Sequence, residues 1–481
     1  MKNVASKSEL ISNYSNMNVF RLLALFLLMI ISTLSIAQNK FDGLWTGTIA
    51  AGGIEMQIDF EITEAEQKVL MSVPIQNIKD IESSTLVIKG DTLTIMYMAF
   101  RARYDAIYDQ KSEAFIGEWN QGRATPLNLK RTDTKTEFKR PQTPEEPFPY
   151  DVKDVSIQNE LAGVNLAGTL TTPKGDGPFP LAILVSGSGR QNRNSNILGH
   201  KPFLVIADYL TRAGIAVIRY DDRGVDKSTG NHAESTSADF ADDANSVFQY
   251  TKTLDKIDKS KIGIIGHSEG GMIALIVASL NRDLGYVVSL AGPGVPISDL
   301  MTCQNAMVLE KSGMSPEGLE ITKQNLPLIY SIVNQDKEPK QLFDTLINAV
   351  HGFYDKLPKV DQKLLAPTKA SYYMSLAQSF FSPWFRYFLA YDPTESWQQT
   401  KCPVLALNGS EDIQVEAKMN TNAIMTNLAI SGNNKAQIKI VDGLNHLFQP
   451  CVKCNLAEYA TIETTFDESV LGMIRDFISK L

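Results

Sequence analysis

Five short apolar runs leave this chain few ways to fold: residues 181–185 (LAILV), 215–218 (IAVI), 262–265 (IGII), 286–290 (YVVSL) and 404–407 (VLAL). A strand with one wet face alternates apolar and polar side chains, because successive residues point to opposite sides of a sheet. These runs do not alternate, so both faces of each strand must be dry. A mostly parallel sheet with helices on both sides meets that demand. The segment 294–399, between the fourth and fifth runs, is rich in Leu, Met, Lys and Gln and too long for a bare connection. It is expected to carry its own helices, as a cap inserted over the sheet.

The chain before residue 140 follows another rhythm. Segments 44–49 (LWTGTI), 55–60 (EMQIDF), 93–98 (LTIMYM) and 114–119 (AFIGEW) alternate with period two and are punctuated by Gly and Asp, as in a small antiparallel barrel or sandwich. No cluster of catalytic residue types lies among them. The stretch 140–149 (RPQTPEEPFP) has too many prolines for a helix and too little apolar surface to pack, and reads as a linker to residue 150. The expected division is thus a leader at 1–37, a β domain at 38–139, the linker, and an α/β domain at 151–481.

The leader reading rests on Lys2, Lys7 and Arg21, the apolar run 22–31 (LLALFLLMII) and the small residues Ser35 and Ala37 before Gln38. This is the pattern of a secretory signal peptide cleaved after Ala37, and the apolar run is short for a span of ~20 residues. No cysteine marks the cleavage point for a lipid anchor. The mature chain is therefore expected to be exported, periplasmic or extracellular, without a stable membrane anchor. A net charge of −8 and the absence of any Lys/Arg-rich run argue against a nucleic-acid partner, while an apolar share of 43% is ample for a core.

The third apolar run leads into GHSEGG, residues 266–271, and then into a helix-forming stretch. Glycines on both sides of Ser268 allow a sharp strand-to-helix turn that lifts its hydroxyl beyond the sheet edge. The pattern alone would also fit a helix cap; the strand–turn–helix setting favours a nucleophile. Such a hydroxyl needs a base to remove its proton. Of five histidines, His267 adjoins the serine on a tight turn and is expected to point away, His200 and His232 precede it, and His351 falls in the cap segment. His446 follows a late strand, 437–441 (QIKIV), on a Gly/Asn loop, and is the candidate base. Its orienting acid is sought after the fifth run, where Glu411 and Asp412 stand side by side; the shorter Asp412 is preferred.

The order Ser268, Asp412, His446, together with SGSG at 186–189, RYDDRG at 219–224 and GLNH at 443–446, resembles the α/β-hydrolases from about residue 151 to the C-terminus, and within them the branch of secreted carboxylesterases and serine-aminopeptidase-like enzymes. The resemblance implies an oxyanion hole from the backbone N–H groups of Glu269 and Ser188. It also implies acyl-enzyme chemistry on a small-molecule ester with no cofactor and no metal. Two other readings stand beside it: a peptidase removing small N-terminal residues, and a non-catalytic module binding glycan or protein.

Asp222 and Arg223 are read chiefly as a structural turn, with substrate-binding charges as the alternative. Trp384, Phe385, Tyr387 and Phe388 are either a pocket wall or cap core. For Cys451 and Cys454 a redox motif, half a zinc site and a local disulfide are conceivable. No thioredoxin-like context surrounds them, and Cys303 and Cys402 lack the spacing to complete a zinc site. A disulfide is therefore expected.

Overall fold

The computed structural model describes residues 40–51, 54–76, 78–135, 139–335, 337–366 and 368–481; the proposed leader lies outside them. The chain divides into two compact units, the first ending at Thr136 and the second running from Glu137 to Leu481, with two short stretches of the N-terminal region also grouped with the second.

The first unit is antiparallel. Its strands are β1 (Gly43–Ala51), β2 (Ile54–Thr63), β3 (Lys68–Val73), β4 (Ile78–Glu82), β5 (Thr85–Lys89), β6 (Thr92–Tyr97), β7 (Ala102–Asp109), β8 (Ala114–Asn120), β9 (Ala124–Pro126) and β10 (Leu129–Thr132). They form one ten-stranded sheet in the order β4-β3-β2-β1-β10-β8-β7-β6-β5, with β9 against β8, in half-barrel form. The alternation seen in the sequence is resolved as one buried face: Trp45, Phe60, Tyr104 and Phe115 are essentially inaccessible, and Trp45 donates its indole N–H to the Phe41 carbonyl at 2.8 Å.

The second unit holds strands β11 (Asp151–Asn159), β12 (Val164–Thr172), β13 (Phe179–Val185), β14 (Ala216–Tyr220), β15 (Ile257–His267), β16 (Tyr286–Leu290), β17 (Val404–Gly409) and β18 (Ala436–Val441). The sheet order is β11-β12-β14-β13-β15-β16-β17-β18, antiparallel at β11–β12 and β12–β14 and parallel from β14 to β18. Helices α1 (Pro202–Arg212), α2 (Ser237–Thr251), α3 (Glu269–Leu280), α4 (Ile297–Lys311), α5 (Pro316–Val333), α6 (Pro339–Lys356), α7 (Lys359–Leu365), α8 (Lys369–Phe380), α9 (Pro383–Ala390), α10 (Thr394–Gln399), α11 (Ala417–Ile430) and α12 (Glu468–Ser479) complete it. The unbroken runs behave as their composition demands. On β13, Leu181, Ile183 and Val185 pack with Phe248 and Val277 of α2 and α3, while Ala182 and Leu184 pack with Ile206, Leu210, Ile474 and Phe477 of α1 and α12 on the other face.

Helices α4 to α10 occupy the long insertion, and those from α5 to α9 share a core of their own around Leu326, Ile329, Leu346 and Phe353. Among the described residues no helix is long and apolar enough to cross a membrane. The proline-rich stretch is not a free linker. The Arg140 guanidinium donates to the carbonyls of Leu198, Ala460 and Ile462, and the Gln142 amide oxygen accepts the N–H groups of Thr465 and Phe466, so two polar side chains, not apolar surface, fasten it to the second unit.

Candidate active site

Every candidate catalytic residue lies beyond the carboxyl end of a parallel strand, the edge where open α/β sheets gather their functional loops. Ser268 follows β15 and has φ 56° and ψ −120°, a left-handed conformation that an ordinary residue avoids. Its N–H donates to Leu290 O at 2.8 Å, and its carbonyl accepts the Gly271 N–H at 2.9 Å. The two nearby glycines are required by contact: a Cβ on Gly266 would lie 2.0 Å from Gly270 O, and one on Gly270 would lie 2.1 Å from Val185 O. The turn can be this tight only because those side chains are missing.

Asp412 follows β17 and is buried. Its Oδ1 accepts the N–H groups of Gln414 at 2.8 Å and Val415 at 2.9 Å, and its Oδ2 accepts His446 Nδ1 at 2.8 Å and Asn408 Nδ2 at 3.3 Å. Glu411, by contrast, engages only through its backbone N–H, with an exposed side chain. Because an ionised carboxylate only accepts, the proton of the neutral imidazole sits on Nδ1 and the lone pair on Nε2. His446 is shaped by buried Asn445, whose Oδ1 accepts the N–H groups of Leu447 at 2.9 Å and Gln449 at 3.0 Å. Both bonds are local, the side-chain-to-backbone turn that an Asn in a loop commonly makes.

Ser268 and His446 line one cavity of about 210 Å³ together with Ser188, Glu269, Phe203 and Trp384. Of the imidazole's two nitrogens, Nδ1 is bonded to Asp412, and no hydrogen bond joins Nε2 to the Ser268 hydroxyl. The backbone N–H groups of Ser188 and Glu269 donate to nothing among the described residues.

His267 departs from expectation. It does not turn away: its Nε2 lies 2.9 Å from His446 O, the two rings are 4.7 Å apart, and it lines the same cavity. A carbonyl accepts only, so His267 carries its proton on Nε2 and braces the loop of His446 from below. Burial, and then the neighbouring His446, lower its pKa to about 4. The other histidines are elsewhere: His200 is buried against Thr465 and the Tyr459 carbonyl, His232 approaches Gly189 O, and His351 stacks on Tyr373 in the cap.

The charges nearby are acidic. Glu269 is buried with its Oε1 accepting Ser237 Oγ at 2.5 Å and Trp384 Nε1 at 2.8 Å; burial raises its pKa, and the Ser237, Trp384 and Ser188 donors oppose the rise. Arg223 takes the structural role, ion-pairing with Asp243 at 2.6 Å and with Asp239 at 3.3 Å. In the cap, Trp384 and Phe388 stack with centroids 5.2 Å apart and both line the cavity, whereas Phe385 belongs to the cap core. Tyr387 packs beside Phe388 without lining the cavity. Cys451 and Cys454 form a disulfide in the loop after His446.

The chain is similar to several known proteins. Residues 201–338, which include Ser268, match the serine aminopeptidase (S33) family. Esterase EstD of Thermotoga maritima is 26% identical over 327 residues, covering 68% of this chain and 66%, just under two thirds, of its own length. A polyketide transferase of Penicillium crustosum is 29% identical over 148 residues, 29% of this chain and 44% of that protein. Among solved structures, the Pyrococcus furiosus esterase Pf2001 is 15% identical with a TM-score of 0.41, covering 71% of this chain and 98% of its own. Strand order and elbow give the second unit an α/β-hydrolase fold, within which residues 201–338 are similar to the serine aminopeptidase (S33) family.

Proposed function

We propose that this chain is an exported serine hydrolase that cleaves small carboxylic esters through an acyl-enzyme. The observation that carries the reading is that the Asp412–His446 pair, with Nε2 left basic, opens on the same cavity as the hydroxyl raised by the Ser268 turn. In the proposed reaction His446 Nε2 removes the Ser268 proton as Oγ attacks the ester carbonyl, and Asp412 stabilises the imidazolium. The tetrahedral oxyanion is held by the N–H groups of Ser188 and Glu269. Collapse breaks the bond to the alkoxy oxygen, which leaves with the proton from His446, and water reverses the sequence to free the acid. Export is supported by the leader pattern and by a disulfide, which persists in oxidising compartments.

The family match brings a peptidase into view. An aminopeptidase needs a carboxylate free for the substrate ammonium, and Glu269, the cavity's acidic side chain, already accepts from Ser237 and Trp384. The ester reading is therefore favoured. The test sets p-nitrophenyl esters beside aminoacyl-p-nitroanilides, with a fluorophosphonate label. Wild type should hydrolyse the esters and label, and Ser268→Ala should lose ~10⁴- to 10⁶-fold in rate and not label. Preference for the anilides would select the peptidase; unimpaired Ser268→Ala would remove the nucleophile.

A further inference from the structure

The loop that carries Ser188 hangs on one carboxylate. It leaves β13 at Ser186 and passes Gly187, Ser188 and Gly189 before Gln191. Asp222, in the loop after β14, grips both ends: Oδ1 accepts the Ser186 hydroxyl at 2.9 Å and Oδ2 accepts the Gln191 N–H at 2.9 Å. The Asp222 N–H closes the ring on Gln191 O at 3.1 Å. Between these ties lie two glycines, one at φ 93°, which by themselves leave the backbone free to turn. The loop also presses on the nucleophile: a Cβ on Gly187 would lie 3.1 Å from Ser268 Cβ. A small shift of the loop therefore moves the Ser188 N–H relative to the reacting carbon.

Among the described residues no ion pair holds Asp222 there. Its neighbour Arg223 turns to Asp243 and Asp239, and the groups facing Asp222 from α3 and α2 are the acids Glu269 and Asp243. Burial without a cation raises its pKa to about 7. A carboxylate kept in so unfavourable a place, with each oxygen committed to the same loop, has a geometric role. We propose that Asp222 is a positioning residue that sets the oxyanion loop of this hydrolase by bridging Ser186 and Gln191.

The inference rests on the serine-hydrolase reading, so the experiment starts with wild type on p-nitrophenyl acetate and the fluorophosphonate; an inert, unlabelled wild type takes both down. Asp222→Asn can keep both ties, its amide donating to the Ser186 hydroxyl and its oxygen accepting the Gln191 N–H, so in an active enzyme the deciding variant is Asp222→Leu, similar in size and without an acceptor. Its kcat should fall ~10- to 100-fold with KM within about twofold, because oxyanion contacts act in the transition state and not in ground-state binding. Affinity for a boronic acid that mimics the tetrahedral adduct should fall in proportion. Ser186→Ala should lose ~3- to 10-fold in kcat, and combined with Asp222→Leu should add nothing further, since the Ser186 tie is already cut there. A folded Asp222→Leu enzyme with kcat within twofold of wild type, or with its loss confined to KM, overturns the proposal. If Asp222→Leu does not fold, Ser186→Ala decides, and unchanged kcat there overturns it equally. Melting temperature separates the two roles: a purely structural residue lowers it without touching kcat or the boronate.

Discussion

At Ser268 the left-handed backbone is a local strain of ~1–3 kcal/mol that the surrounding strand and helix must hold in place. Ser268→Gly should therefore melt higher than wild type while losing esterase activity, a pairing that differential scanning calorimetry and a p-nitrophenyl ester assay would read together; a lower melting temperature would deny the strain. At the acid, Asp412→Asn should lose ~10⁴-fold in kcat through the wrong imidazole tautomer, against less than about twofold for Glu411→Gln, whose side chain faces solvent. A third residue speaks through pH. Burial, with Arg140 adding repulsion, lowers the His200 pKa from 6.5 to about 4. The unfolded chain then binds a proton that the folded one refuses between those values, so the stabilisation is complete above about 6.5 and disappears as pH falls toward 4. Near 1.4 kcal/mol per unit, this is about 3 kcal/mol at most. Thermal melts of His200→Gln should show a flatter acid limb than wild type; an identical slope would remove His200 as its source.

Among the elements, the loop from Gly443 to the start of α12 is the one whose order matters most, because it carries His446. Beyond the contacts of His267, Asn445, Arg140 and Gln142, its 451–458 part is tied by the Cys451–Cys454 disulfide and by Glu458, whose carboxylate accepts the N–H groups of Val452, Lys453 and Cys454. Closing so short a ring adds little global stability. The Cys451→Ser/Cys454→Ser pair should thus leave the melting temperature nearly unchanged and lower kcat, with a much larger loss when Glu458→Ala is added; additive effects would mean that the two ties act on different parts of the loop. Such features mark the boundary of what the sequence could reveal. Strands β13 to β17 were legible because both faces of each are dry, and the elbow because its glycines are dictated by local contact. Strands β11 and β12, an alternating hairpin at the edge of the sheet, carry no such continuous signal. The brace of His267 and the grip of Asp222 depend on partners brought near by folding alone, and residue type gives no sign of them.

For the whole molecule, all the proposed machinery lies in the second unit, so a chain begun at residue 139 should keep measurable esterase activity. Begun instead at residue 150, it loses the ties of Arg140 and Gln142 and should melt several degrees lower at similar kcat; equal melting would make those contacts dispensable. The placement of tryptophan across the chain has an optical consequence. Of four, Trp45 and Trp397 are sealed in cores and Trp119 lies in the first unit, while Trp384 borders the cavity with its indole N–H on the Glu269 carboxylate. A ligand that fills the cavity changes the polarity around that indole and leaves the other three as they were. Its emission should shift on binding, and the shift should vanish in Trp384→Phe, giving the free enzyme a built-in fluorescent reporter of occupancy that needs no turnover to be read.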